Sequence, residues 1–388
     1  MLFRSLEKTK SLLREIIAYP TISPDSNLEL IAYLAQHLED AGADVHLQSS
    51  PDGLKANLFA TLGPLEPGGI VLSGHSDVVP VTEQDWTHDP FDMIERDGKL
   101  FGRGTCDMKG FIAAAIAKAQ DYAAKPLKRP LHYAFTYDEE TGCLGAQALA
   151  EWLTAHDIKP ALAIIGEPTM MQVVEGHKGC CEYATHFHGQ AGHGSMPHVG
   201  VNAVQYAVRY VSRLMDLAEE LKSRAPAGSR FEPPWTTINT GSLTGGSAPN
   251  VIPETATVEW EFRPVQDSDF EYVKSEIQDY VDRLLLPAMQ SVNPKSSITM
   301  QVLGEVAGLE IASPNEARDI MMELTGNNGA GVVPFGTEAG IFAALGMSAA
   351  VCGPGSIEQA HKPDEYLAID QLQKCLSVLD ELEAKLHA

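Results

Sequence analysis

Short unbroken apolar runs, separated by amphipathic stretches, set the character of the chain. IVLSG after Gly69, LHYAFTY after Pro130 and ALAIIG after Pro160 lie between helical patterns, which predicts strands buried on both faces, as in parallel sheets. VPFGTEAG and SAAVCGPG repeat that signal near the C-terminus. Phe3, Leu6, Leu13, Ile16 and Ile17 share one helical face that ends before Pro20, and KGFIAAAIAKA reads as another helix. The expected fold class is α/β, a mixed and mostly parallel sheet flanked by helices.

Between about 181 and 305 the pattern changes. EYATHFHG alternates like a half-exposed strand, NAVQYAVRYVSRLMDLAEEL is a long helix, and INTGSLTGG, TATVEWEFRP, a second helix from about Asp269 to Leu286, and SITMQVL follow. Strand, helix, two strands, helix, strand is the order of a ferredoxin-like split βαβ unit. The expected organisation is a discontinuous catalytic domain, residues 1–180 and 306–388, with a ferredoxin-like α+β domain inserted at 181–305. TEQDWTHDP and LKSRAPAGSRFEPPW, rich in polar residues and proline, read as surface loops.

Composition narrows the partners. The 388 residues carry 28 Lys+Arg against 52 Asp+Glu, a formal net charge of −24. Binding to nucleic acid or an anionic membrane needs clustered Lys and Arg, so a small-molecule partner is expected instead. Charged residues interrupt the N-terminal apolar positions, so no signal peptide is read there, and FIAAAIA stops at Lys118, far short of a membrane span. A soluble cytoplasmic protein is expected. None of the six cysteines forms a CxxC pair, which predicts reduced, mostly buried thiols, Cys106 among them.

The buried runs lead into candidate metal ligands: His75 after IVLSG, Glu139 and Glu140 after FTYD, Glu167 after AIIG, and His361 after AVCGPG. In parallel α/β sheets, sites lie beyond the carboxyl ends of the strands, so these distant residues can meet. Asp107 joins them from the glycine-bracketed turn GRGTCDMKG. Two histidines and three carboxylates form a hard nitrogen and oxygen set suited to zinc, cobalt or manganese. Five ligands exceed one tetrahedral zinc; a carboxylate shared by two ions would account for the excess. Glu139, beside a ligand in sequence, could then act as general base. Taken singly, Asp107 reads as a cap or turn residue, Glu139 and Glu140 as a solvated acidic turn, and both histidines as structural. Their convergence at one sheet edge favours the metal centre.

GHSDVVP, GRGTCDMKG, TYDEETG, IIGEPT, GHKG, GHGSMP, NVIP, FRP and AHKPDEY, in this order over about residues 10 to 385, resemble the dinuclear-zinc amidohydrolase and peptidase family of acetylornithine deacetylase, succinyl-diaminopimelate desuccinylase and aminoacylase. The resemblance implies a zinc-exopeptidase type of fold and two zinc ions, with cobalt able to substitute. Asp107 would bridge the ions, His75 and Glu167 would complete one site, and Glu140 and His361 the other. It further implies Glu139 as general base, Asp77 as the carboxylate that orients the His75 imidazole, and a cis peptide between Asp107 and Met108.

The inserted domain resembles that family's lid or dimerisation domain, which implies a homodimer. There His193 would stabilise the oxyanion, reaching across the dimer or closing with the lid, and Asn250 and Arg263 would anchor the substrate. His186, His188 and His198 match no role and are left as structural. GEPTMMQVVEGHKG, DWTHDPF and GTEAG look most like the acetylornithine deacetylase branch, in which acetate is removed from N-acetylornithine. Glu338 of GTEAG is either a receptor for that substrate's cationic side chain or a carboxylate at a helix N-terminus. Desuccinylase, citrulline deacetylase, aminoacylase and dipeptidase activities share the metal motifs, and a non-catalytic binding module is the rival outside enzymes.

Overall fold

Unbroken apolar runs become the middle of an eight-stranded sheet. Leu131–Thr136, Ile70–His75, Leu162–Pro168 and Ser348–Gly353 lie side by side in parallel, and every residue of the first three is buried. Antiparallel pairs join these strands to Ala56–Leu62 and Asp44–Ser49 on one side and to Val174–His177 on the other, beyond which lies Gly331–Val333. The sheet is therefore mixed. The structure is a computed structural model that describes residues 2–387, with side chains from Ser5 onward.

Helix Lys109–Ala123 is buried over most of its length and packs with Leu2–Ile17 and Ile369–His387 against this sheet. Leu6, Leu13, Ile16 and Ile17 are buried on the expected helical face, while the side chain of Phe3 lies outside the described residues. Contact between helix and sheet is close. A Cβ added at Gly166 would sit 2.0 Å from the Phe111 ring, so only glycine lets the helix press against the strand that carries Glu167.

VPFGTEAG departs from its reading as a strand. Only Gly331–Val333 is extended; the chain then bends and forms the helix Ala339–Ala344. Pro334 removes a ladder donor, and the Thr337 hydroxyl accepts the Ala339 N–H at 3.1 Å, which starts a helix instead.

The chain divides into two compact units, the second comprising His177–Glu310 with Val333–Gly336. This reaches slightly beyond 181–305 at both ends. Within it, Cys180–His188, Ala203–Lys222, Thr237–Gly245, Thr255–Arg263, Asp267–Tyr280 and Ser297–Val306 follow one another as strand, helix, strand, strand, helix, strand. The sheet order is Thr237–Gly245, Thr255–Arg263, Cys180–His188, Ser297–Val306, all antiparallel. That is the split βαβ topology. Alternation puts Tyr183, Phe187, Trp260 and Phe262 on the buried face, against Tyr210, Leu214 and Ile277 of the helices. The second helix passes through a π turn at Val281–Leu285 before Leu286–Gln290, where Pro287 cannot donate to the ladder.

Among the described residues, no helix is long and apolar enough to cross a membrane. All six cysteines are unpaired, and all but Cys180 are buried.

Candidate metal centre

Strand ends deliver the candidate ligands to one edge of the central sheet. His75 closes Ile70–His75, Glu139 and Glu140 sit in the turn after Leu131–Thr136, and Glu167 is the penultimate residue of Leu162–Pro168. Asp107 lies just before helix Lys109–Ala123, and His361 follows Ser348–Gly353. The Asp107–Met108 peptide is cis, as the resemblance implied.

Asp107 offers one oxygen to each imidazole. Its Oδ1 lies 3.0 Å from His75 Nε2 and its Oδ2 3.5 Å from His361 Nε2. Each histidine has a second carboxylate of its own, with Glu167 Oε1 3.6 Å from His75 Nε2 and Glu140 Oε2 3.0 Å from His361 Nε2. Two half-sites thus share one aspartate. Ligating atoms around a tetrahedral ion with bonds of about 2.0 Å stand about 3.3 Å apart, which is the spacing seen here. Glu139 is half-buried and stands in the His75–Glu167 group, whose candidate ligand atoms lie within 4.8 Å of one another.

These residues fit a pair of divalent ions. Glu167 Oε1 is buried without a hydrogen-bond donor, a costly state for a carboxylate oxygen unless a cation faces it. The electrostatics agree. Burial pushes the carboxyls of Glu139, Glu140 and Glu167 above their usual range. Hydrogen bonds to Asp107 and Glu140 push His361 up to about 10. Burial opposes a charged His75, yet the bond to Asp107 and the charges of Glu167 and Glu139 outweigh it and raise its pKa. Burial alone would raise the Asp107 carboxyl, but the two histidines hold it low. The cluster has an excess of negative charge that two dications would neutralise.

Asp77 meets His75 first through its main chain. Its main-chain carbonyl, at 2.9 Å, takes the His75 Nδ1 bond, while its nearer carboxylate oxygen is 3.7 Å away. A carbonyl only accepts, so Nδ1 carries a proton, which leaves Nε2 as the nitrogen that would face an ion. The carboxylate instead accepts the backbone N–H groups of Glu139 and Glu140 and the Ser23 hydroxyl.

Glu338 is 1% exposed and lies beneath the site. Hydroxyls of Thr136 and Ser73 hold its two oxygens, so its carboxylate faces the sheet and not solvent. It stands at the N-cap of Ala339–Ala344 without a side-chain cap bond.

In the inserted unit, His193 and Asn250 come together on an exposed edge. Gly192–His193 pairs with Val251–Ile252, and Gly194 N–H donates to the Asn250 carbonyl at 2.7 Å. The His193 ring is exposed, with Nδ1 2.7 Å from the Ser195 hydroxyl. Arg263 is elsewhere. It ends the nine-residue strand Thr255–Arg263, whose start follows Asn250 by five residues, and the strand spans about 27 Å at the usual rise per residue. Its guanidinium donates to Glu261 at 2.8 and 3.3 Å.

Sequence reasoning passed over Glu365 and Arg103. Glu365 is buried and accepts the Asp107 backbone N–H. Its only signal was its place in AHKPDEY, four residues after His361.

The model of peptidase family M20/M25/M40 matches residues 71–384. The chain is 37% identical over 381 residues to the acetylornithine deacetylase of Proteus mirabilis (strain HI4320), covering 96% of this chain and 95% of that one. It is 36% identical over 380 residues to the acetylornithine deacetylase of Photorhabdus laumondii, with the same coverage. In fold it is similar to an M20 family metallo-carboxypeptidase from Sulfolobus solfataricus, with a TM-score of 0.76 at 19% identity over 98% of this chain and 99% of that one.

Proposed function

The chain belongs to peptidase family M20/M25/M40, and on that premise we propose that it removes the acetyl group from N-acetyl-L-ornithine, giving ornithine and acetate for arginine biosynthesis in the cytoplasm. The observation that carries the reaction class is the sharing of Asp107 between two histidine–carboxylate pairs, with Glu139 beside them. The substrate reading rests on relatives that bear the name acetylornithine deacetylase over nearly the whole chain.

His75, Asp107 and Glu167 would hold one zinc ion, and Asp107, Glu140 and His361 the other, with cobalt as a substitute. When bound, the ions polarise the amide carbonyl and acidify a water molecule. Glu139 takes the proton from the attacking water. Its raised carboxyl pKa, a consequence of burial, suits it to return that proton to the leaving amine. His193 donates a hydrogen bond to the oxyanion of the tetrahedral intermediate. Asn250 and the Arg263 guanidinium bind the amino-acid part, the latter through the α-carboxylate.

The distance along Thr255–Arg263 supports a homodimer. One small substrate cannot touch both ends of a nine-residue strand, so Arg263 would come from one copy and His193 with Asn250 from its partner.

The test is a panel assayed with zinc- or cobalt-loaded protein: N-acetylornithine, N-acetylcitrulline, N-acetylmethionine, N-succinyl-diaminopimelate and a dipeptide, compared by kcat/KM. N-acetylornithine is expected to lead. Another winner keeps the reaction class and overturns the substrate; no turnover with both ions bound overturns the enzyme.

A further inference from the structure

Glu365 is a carboxylate with no aqueous face, since it is only 1% exposed. Four donors saturate it. Its Oε1 accepts the backbone N–H groups of Cys106 at 2.8 Å and Asp107 at 3.0 Å. Its Oε2 accepts the backbone N–H of Gly104 at 3.0 Å and the Arg103 Nη1 at 2.8 Å. Three amides of one loop on a single carboxylate fix the path of GRGTCDMKG, and the last of them belongs to the bridging residue itself. Such charge-assisted bonds are among the strongest that a protein can direct at a backbone.

Arg103 extends the hold to the other half-site. It is also 1% exposed; its Nη2 donates to Gln84 Oε1 at 2.6 Å, and Gln84 Nε2 donates to the His361 carbonyl at 3.0 Å. The Trp86 ring, from the same loop, covers the guanidinium at 5.1 Å. His361 needs that support. Its φ of +62° places it in the left-handed region, where a residue with a Cβ is rarely found and must be held. The loop TEQDWTHDP, read from sequence as mere surface, is therefore one jaw of a clamp on a metal ligand.

We infer that Glu365 and Arg103 are positioning residues that set the separation of the two half-sites by fixing Asp107 and His361 from behind. Neither touches substrate. The inference rests on the reading of the site as a two-metal centre. It assigns to the end of the AHKPDEY motif a task distinct from that of its histidine: joining the loop of the bridging ligand to the loop of a terminal one. Replacing Glu365 with Gln removes its charge and turns one of the two oxygens into a donor, so two of the four donors lose their acceptor; outer partners of this kind govern metal affinity by about 10–100-fold.

Equilibrium dialysis and visible absorption of the cobalt-loaded protein test it. Wild type is expected to bind two ions per chain. Glu365→Gln should keep its circular dichroism, lose about 10–100-fold in affinity for at least one ion, and show altered cobalt bands, with kcat falling more than KM changes. Glu365→Asp should recover part of the loss. Should Glu365→Gln not fold, Arg103→Lys and Gln84→Ala decide: each leaves Glu365 in place and should weaken the ion that His361 ligates. Variants with wild-type affinity and spectrum overturn the inference. Fewer than two ions in the wild type overturn the two-metal reading on which it stands.

Discussion

The carboxylate of Asp77 accepts the backbone N–H of Glu139 at 3.1 Å. The residue whose carbonyl sets the tautomer of His75 therefore also fixes the turn that carries the proposed base. Ser23 anchors the same carboxylate at 2.7 Å, so the positions of His75 and Glu139 are tied through one residue. Asp77→Asn replaces an acceptor with an amide that cannot receive both N–H groups and the hydroxyl. The expected result is a 10–100-fold loss in metal affinity or activity, measured by dialysis and initial rates. Unchanged values would remove Asp77 from the machinery.

Glu139→Gln should separate chemistry from binding. Both ions should remain, because their ligands are untouched, while kcat falls by about 100- to 10,000-fold, the usual range for a lost acid–base group. Near-normal turnover in a fully loaded variant would exclude the role.

Chelation should act on stability as well as rate. Dipicolinate treatment should abolish turnover, and zinc or cobalt should restore it. Without ions, the carboxylates of Glu140 and Glu167 both face the charge of Asp107. An ion present at a thousandfold its Kd stabilises the fold by about 4 kcal/mol, so the midpoint of thermal unfolding should rise on reloading. A midpoint indifferent to metal would mean that the cluster does not bind it.

His193→Ala should keep both ions and lose about 100- to 1,000-fold in kcat, the scale of one oxyanion donor. Mixing it with Glu139→Gln protein distinguishes the two routes to the site. If His193 acts across a dimer, hybrid dimers contain one intact site and activity returns; if it acts within its own chain, the mixture stays inactive.

Acid should weaken the fold through His132. Burial pushes its pKa down to about 4, between the Thr61 hydroxyl at 2.9 Å and the Gly68 carbonyl at 3.2 Å. The unfolded chain holds the ordinary value near 6.5 and so binds more protons between the two pKa values. Its contribution is fully present above pH 6.5 and is lost as pH falls towards 4, a total of about 3 kcal/mol. Urea unfolding of chelator-treated protein at pH 7 and 5 should show a smaller pH difference in His132→Gln than in wild type. Equal differences would assign the acid slope to other groups.

Much of the site was legible without coordinates, because its signals are local. An unbroken apolar run reports burial on both faces, and a His or Glu at its end marks the carboxyl edge where such sheets place their chemistry. His75, Glu139, Glu140 and Glu167 carry that signal and lie at one sheet edge, and the order of elements in the inserted unit follows the periodicity in the same way. The tertiary structure alone decided what depends on the path of loops between distant residues. Which oxygen of Asp107 meets which imidazole, the burial of Glu338 beneath Ser73 and Thr136, the distance of Arg263 from Asn250, and the grip of Glu365 on Asp107 across 258 positions all belong there. Periodicity tells which side of an element is dry; it carries no record of which buried donor meets which buried acceptor, because that pairing is chosen by packing after the elements have formed.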